Sequence, residues 1–129
     1  MTIAEFCLLG MVVLTIAVIA PAKFAGRHEF NNANPRDPAF YTTGFRMRSL
    51  AAHQNGLEAF PLFAAAVLLA EFRGVPQHVV DGLALAFVGI RVVYAICYIG
   101  NRPSLRSLVW TLALACNVAI FLAPGLYPR

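Results

Sequence analysis

Four long apolar stretches, separated by short polar segments, dominate the chain. The first covers about residues 3–20 and ends at Pro21, which lacks a backbone donor and is expected to stop a helix. The segment from Ala22 to about Gly44 carries Asn31, Asn32, Asn34, Pro35, Asp37 and Pro38, the chemistry of loops and turns. A second stretch, about 46–72, has polar first turns and a wholly apolar run from Leu62 to Ala70. Gly74, Pro76 and Gln77 turn the chain into a third stretch, about 79–99. Gly100, Asn101, Arg102 and Pro103 turn it into a fourth, about 105–123, which ends at Pro124 and Gly125. A helix crosses a hydrocarbon core about 30 Å thick with roughly 20 apolar residues, and each stretch is near that length. The pattern predicts an all-α membrane protein: a four-transmembrane-helix bundle in one domain over residues 1–129, its second and third helices antiparallel neighbours.

Composition sharpens the solvent. A chain 60% hydrophobic and 12% charged cannot hide its apolar surface in a water-soluble core, so lipid is the expected partner. The net charge of +4 does not point to nucleic acid, because the basic residues neither cluster on one amphipathic face nor alternate with exposed aromatics. They sort by membrane side instead. Lys23, Arg27, Arg36, Arg46 and Arg48 flank the first loop and Arg102 and Arg106 the third, whereas the other face holds only Arg73 and Arg129. Seven against two of the ten predicts that the first and third loops face the cytoplasm, as in a bacterial inner membrane, with both termini outside. No Lys or Arg precedes the first apolar run, which carries Glu5, so it is expected as a retained helix and not a cleaved signal. Cys7, Cys97 and Cys116 lie in apolar stretches without metal-ligand spacing, and are expected as reduced structural residues with no metal site.

An ionisable group inside a span costs about 2.5 to 3.5 kcal/mol at mid-helix on insertion scales, so Glu58 and Arg91 each need a partner and a reason. At 100° per residue, Arg48, Asn55 and Glu58 fall within about 80° of one another, while His53 points elsewhere. Arg91, Tyr94 and Tyr98 fall within about 60°, and Arg106, Trp110 and Asn117 share a stripe on the fourth helix. Antiparallel second and third helices bring Glu58 and Arg91 to one level, which permits a direct or bridged ion pair. Two readings stay open here: mutual neutralisation with interhelical hydrogen bonds, or a water-accessible pocket for a charged ligand. His53 is expected to pack between helices, and Trp110 and Tyr127 to pack or to anchor at the interface.

The run Arg48-Ser49-Leu50-Ala51-Ala52-His53-Gln54-Asn55-Gly56-Leu57-Glu58, followed by Phe60-Pro61, resembles the second-helix signature of the membrane-associated proteins in eicosanoid and glutathione metabolism, the MAPEG family. Asn34-Pro35-Arg36-Asp37 resembles that family's first-loop motif, and Arg91-x-x-Tyr94-x-x-x-Tyr98 with Leu105-Arg106-Ser107 its third- and fourth-helix elements. The likeness covers nearly the whole chain and is greatest to the small bacterial branch. It implies a homotrimer that binds glutathione between subunits at the cytoplasmic side. On it, Asn55 and Glu58 would hold the glutathione backbone, with the Glu58 carboxylate on its amino group, and Tyr94 and Tyr98 would line the tripeptide. Arg91 would join them on the third-helix stripe. Arg106, the implied catalytic residue, would stabilise the thiolate, with Ser107 beside it. The chemistry stands on its own: a free thiol has a pKa near 8.5, and an adjacent guanidinium favours the nucleophilic anion. Members commonly carry an arginine two residues before the histidine, where this chain has Ala51; Arg48, one turn earlier, is the substitute expected.

Three functions follow as alternatives. The first is a glutathione-dependent transferase or peroxidase that takes a lipophilic small-molecule electrophile from the lipid. The second is a non-catalytic module of the same fold, a lipid or small-molecule binder or an accessory subunit of a larger complex, which Ala51 favours. A small four-span transporter is the third; Glu58 lies in the second span and near one face, which speaks against it.

Overall fold

The computed structural model describes residues 1–128; Arg129, counted above among the basic residues of one face, lies outside the described residues. Five α-helices, α1 (Ile3–Ala17), α2 (Ala20–Ala25), α3 (Gly44–Phe72), α4 (Gln77–Ile99) and α5 (Pro103–Leu126), are joined by short turns and by one long first loop with a 3-10 turn at Pro38–Tyr41. Because α2 follows α1 almost directly, four rods are long and apolar enough to cross a membrane: Ile3–Ala25, Gly44–Phe72, Gln77–Ile99 and Pro103–Leu126. α3 and α4 each contact every other long helix and form the middle of the bundle. The 29 residues of α3 reach about 43 Å at 1.5 Å per residue, beyond a hydrocarbon core of about 30 Å.

The first rod breaks at Val18 and Ile19, before the expected stop at Pro21. Pro21 instead occupies the first turn of α2, where its missing N–H is not needed. At the break the Ile19 amide turns to the Ile16 carbonyl, 3.3 Å away, and so leaves the Thr15 carbonyl without its helical donor. Side chains of α3 supply the missing donors. His53 Nδ1 lies 2.6 Å from the Thr15 carbonyl, which can only accept, so Nδ1 carries the proton. Ser49 Oγ, fully buried, donates to the Val18 carbonyl. Gly56, one turn on, lets the two helices approach: a Cβ there would lie 2.8 Å from Thr15 Oγ1. His53 is thus a helix-packing residue.

Both turns at the ends of α4 use the same device. After α3, Gly74 has φ 72°, the Val75 amide reaches back to the Ala70 carbonyl at 3.0 Å and the Gly74 amide to Glu71 at 3.0 Å. After α4, Asn101 has φ 56°, with Arg102 bonded to Cys97 at 2.8 Å and Asn101 to Tyr98 at 3.1 Å. Each is a Schellman closure in which a left-handed residue satisfies the last carbonyls, and each is followed by a proline, Pro76 or Pro103. Pro61 and Pro124 lie inside α3 and α5, and α5 continues past the expected end to Leu126.

The core between the helices is built from Met11, Phe63, Val67, Phe87 and Ile120 against small residues such as Ala4, Ala66, Ala84 and Ala113. Phe63 and Phe87 stack with centroids 4.2 Å apart. Large residues such as Phe6, Leu9, Ile16, Leu68, Leu85 and Ile96 point outward, an arrangement that only lipid or a further protein surface accommodates. Cys7, Cys97 and Cys116 are free thiols.

Polar contacts close the two ends of the bundle. At one end, Thr2 and Glu5 form a capping box, Thr2 Oγ1 also donates to Glu71 at 2.7 Å, and the Ala4 amide donates to Asp81 at 2.8 Å. Gln77 links Glu71 at 3.1 Å and Asp81 at 2.9 Å, so three helices meet at one knot. At the opposite end, Arg46 pairs with Glu29 at 2.7 Å and lies 4.5 Å over the Phe40 ring, which pins the first loop. That hydrogen bond and charge hold the exposed Glu29 carboxyl below its usual range.

Candidate functional site

A second group of polar residues on α3, α4 and α5 lies between mid-bundle and the Asn101 turn, away from the Thr2 knot. Arg91 is 4% exposed although it carries a guanidinium. Its Nη1 donates to Asn55 Oδ1 at 2.8 Å, and Asn55 Nδ2 in turn reaches Glu58 Oε2 at 3.4 Å. Glu58 and Arg91 therefore communicate through Asn55; among the described residues no direct ion pair joins them. Helical spacing explains the geometry, because Asn55 and Glu58 are neighbours at i, i+3 on α3, with Asn55 turned to Arg91 of α4 and Glu58 exposed.

From Arg91 a series of aromatic contacts runs toward the Asn101 turn. The guanidinium lies 4.2 Å over the Tyr94 ring, Tyr94 and Tyr98 meet edge to face at 5.6 Å, and the Arg106 guanidinium lies 4.6 Å over Tyr98. Stacking of this kind holds a cation on a π face. Ser107 follows Arg106 on α5, with its hydroxyl donated to the Pro103 carbonyl at 3.1 Å. Arg48 stands apart from this group: its Nε donates to the Ile99 carbonyl at 3.0 Å, capping the C-terminus of α4, where a cation also meets the helix dipole favourably.

Two recesses follow the series. A groove of about 450 Å³ is lined by Tyr94, Tyr98, Arg106, Ser107, Trp110 and Thr111. A second, open recess of about 190 Å³ lies among α3, α4 and α5, with Asn55, Glu58 and Arg91 at its polar side and Leu62, Phe87, Ala113, Leu114 and Asn117 as further walls. Trp110 lines both. Trp110 and Asn117, expected only as an anchor and as part of a stripe, are thus wall residues. The signal for them was the shared face of Arg106, Trp110 and Asn117 on α5. Chemically, the groove offers a cation and phenols, and the recess a carboxylate beside an apolar chamber: room for a polar and a lipophilic group side by side.

A four-span membrane bundle with a polar cleft at one end is the class that this geometry defines. The MAPEG family model matches residues 3–126, and the chain belongs to that family, which is associated with glutathione-type chemistry. No curated protein and no solved structure matches the chain significantly.

Proposed function

We propose that this protein is a glutathione-dependent transferase or peroxidase of the small bacterial branch, acting on lipophilic electrophiles drawn from the membrane. The observation that carries the reading is the unbroken series Glu58, Asn55, Arg91, Tyr94, Tyr98 and Arg106, which runs beside both recesses. In this reading Glu58 meets the amino group of glutathione, Asn55, Arg91, Tyr94 and Tyr98 line the tripeptide, and Arg106 with Ser107 holds the thiolate. Glu58 and Gln54 are exposed on α3 within a membrane-crossing helix. A carboxylate facing lipid is costly, which supports a homotrimer that covers this flank and encloses the ligand between subunits. The excess of basic residues on the first and third loops supports placing the cleft at the cytoplasmic side, with both termini outside.

A second reading is favoured by one specific feature. Ala51 takes the place of a family arginine, and Arg48, the residue expected to substitute, caps Ile99. On that account the fold serves as a non-catalytic binder or accessory subunit.

Titration of the detergent-solubilised oligomer with glutathione separates the two. The parent protein is expected to bind glutathione in the millimolar range or tighter and to turn over a chromogenic electrophile. Glu58→Gln removes a charge-assisted hydrogen bond of about 1.5 to 3 kcal/mol, so affinity falls by one to two decades. An intact oligomer that binds no glutathione at millimolar concentration leaves only the second reading standing.

A further inference from the structure

The bundle end that carries the first loop has a groove of about 550 Å³ that is separate from the cleft: none of Asn55, Glu58, Arg91, Tyr94, Tyr98 or Arg106 lines it. It follows the break in the first rod, with Ile16 and Ile19 as one wall and Leu50 and Leu57 of α3 as another. Its size falls within the range of ligand sites, about 300 to 1,000 Å³.

Its walls are sorted by depth. Arg36, in the loop between the first two membrane-crossing rods, and Lys23, near the end of the first, supply the fixed charges, and no Asp or Glu lines the groove. Among the described residues neither cation has an ion pair: Glu29 of the loop is taken by Arg46, and Asp37 accepts from the Ala39 amide at 3.0 Å. Lys23 rests 5.0 Å over the Phe30 ring and Arg36 is exposed. Deeper in the rods, Gln54 stands one turn nearer the loop than Leu57, and Ile16 and Leu57 are 61% and 54% exposed. From Leu50 to Leu57 α3 rises about 10 Å. A soluble anion would meet the cations and leave Ile16 and Leu57 uncovered, while an uncharged hydrocarbon would cover those two and leave the cations unmatched. A phospholipid, with phosphate, ester and acyl chain in that order, meets all three levels, and basic pockets between helices at a membrane surface suit anionic headgroups.

We propose that this groove holds one anionic phospholipid, its headgroup toward Lys23 and Arg36, its ester at Gln54 and an acyl chain along Ile16, Ile19 and Leu57. The two cations act on the headgroup by charge and need not touch one oxygen, since screening at physiological salt extends over about 8 Å. Gln54 also borders the flank assigned above to a trimer seam, so the lipid lies beside that seam. The inference does not rest on the glutathione reading.

The solubilised oligomer, stripped of native lipid, is titrated with dioleoyl phosphatidylglycerol and with the phosphatidylcholine of the same chains, and bound lipid is counted by native mass spectrometry. Phosphatidylglycerol is expected to bind more tightly, because choline brings a further cation to Lys23 and Arg36. Arg36→Gln and Lys23→Gln are each expected to weaken it about fivefold, the effect of one basic residue on an anionic lipid, and the pair roughly 25-fold. Arg27→Gln, which removes an exposed cation of the same loop outside the groove, is expected to change it less than about twofold. Excess glycerol phosphate should not displace the lipid. Equal affinity for the two lipids overturns the proposal. So does an equal loss in Arg27→Gln and Arg36→Gln, which would mean diffuse attraction to the surface, and so does displacement by glycerol phosphate, which would make this a site for a soluble anion.

Discussion

Gly56 offers a direct test of how α1 and α3 set the site, because Asn55 adjoins it and Glu58 follows half a turn later. Replacing Gly56 by alanine has two opposed effects. In a helix interior alanine is favoured over glycine by about 1 kcal/mol. Against that, the new Cβ would stand 2.8 Å from Thr15 Oγ1, 3.1 Å from its Cγ2 and 3.3 Å from its Cβ. Thr15 is buried and β-branched, hence stiff about χ1, and the His53 bond to its carbonyl pins α1 to α3 one turn away. Overpacking of this kind costs about 1 to 3 kcal/mol, so Gly56→Ala is expected to destabilise by about 1 kcal/mol net. Thr15→Ala removes the two nearest atoms, together with a buried hydroxyl that has no partner. In that background only the 3.3 Å contact with the residue 15 Cβ remains, which a shift of a few tenths of an ångström relieves, and Gly56→Ala is expected to stabilise by about 1 kcal/mol through helix propensity. The coupling between the sites is then about 2 kcal/mol, within the range for residues in contact. Equilibrium unfolding of the four proteins in mixed micelles, followed by circular dichroism, measures it. If Gly56→Ala has the same effect in both backgrounds, the close approach of α1 and α3 does not control this crossing.

Two further predictions concern the cleft and the first loop. Arg106→Ala is expected to leave the oligomer intact and to slow thiol transfer most at pH 7, with the deficit shrinking above about pH 9 as the thiol, pKa near 8.5, ionises unaided. A loss equal at every pH in the rate profile would make Arg106 structural. Because the folded Glu29 carboxyl is depressed, its contribution to loop order is complete above the unfolded value of about 4.3 and disappears as pH falls through the lower folded value. Amide exchange in residues 26–30, corrected for intrinsic rate, should therefore rise below about pH 4 in the parent and be raised throughout the pH range in Glu29→Gln; identical profiles would sink the loop anchor.

The four spans were legible because hydropathy over 20 residues is a local property of the chain. So was the face shared by Arg91, Tyr94 and Tyr98, since helical period alone determines it. Period does not say which neighbour that face meets. The bridge from Arg91 to Glu58 through Asn55 depends on the rotation of α4 against α3. The capping of Ile99 by Arg48 links positions 51 residues apart, and the bond of His53 to Thr15 links positions 38 apart. Pro21 misled for a different reason: proline stops a helix at one position and starts one at another, and only the break at Val18 decides between them. The stripe of Arg106, Trp110 and Asn117 was legible on α5, but not that α3 and α4 would close against it to make Asn117 a wall of a recess.

The knot at the Thr2 end bears on how the chain is assembled. α1 is synthesised before α3 and α4, yet the acceptor for its Ala4 amide is Asp81 on α4, and the Thr2 hydroxyl bonds to Glu71 on the last turn of α3. Those two carboxylates come together only once the Gly74 turn has formed and α3 and α4 stand side by side. Until then Thr2 and the Ala4 amide at the start of α1 have to be solvated by water or headgroups at the membrane surface, and their burial is a late event. Insertion of the α3–α4 hairpin in the opposite sense would carry Glu71 and Asp81 to the far leaflet and leave the start of α1 without its two carboxylate partners.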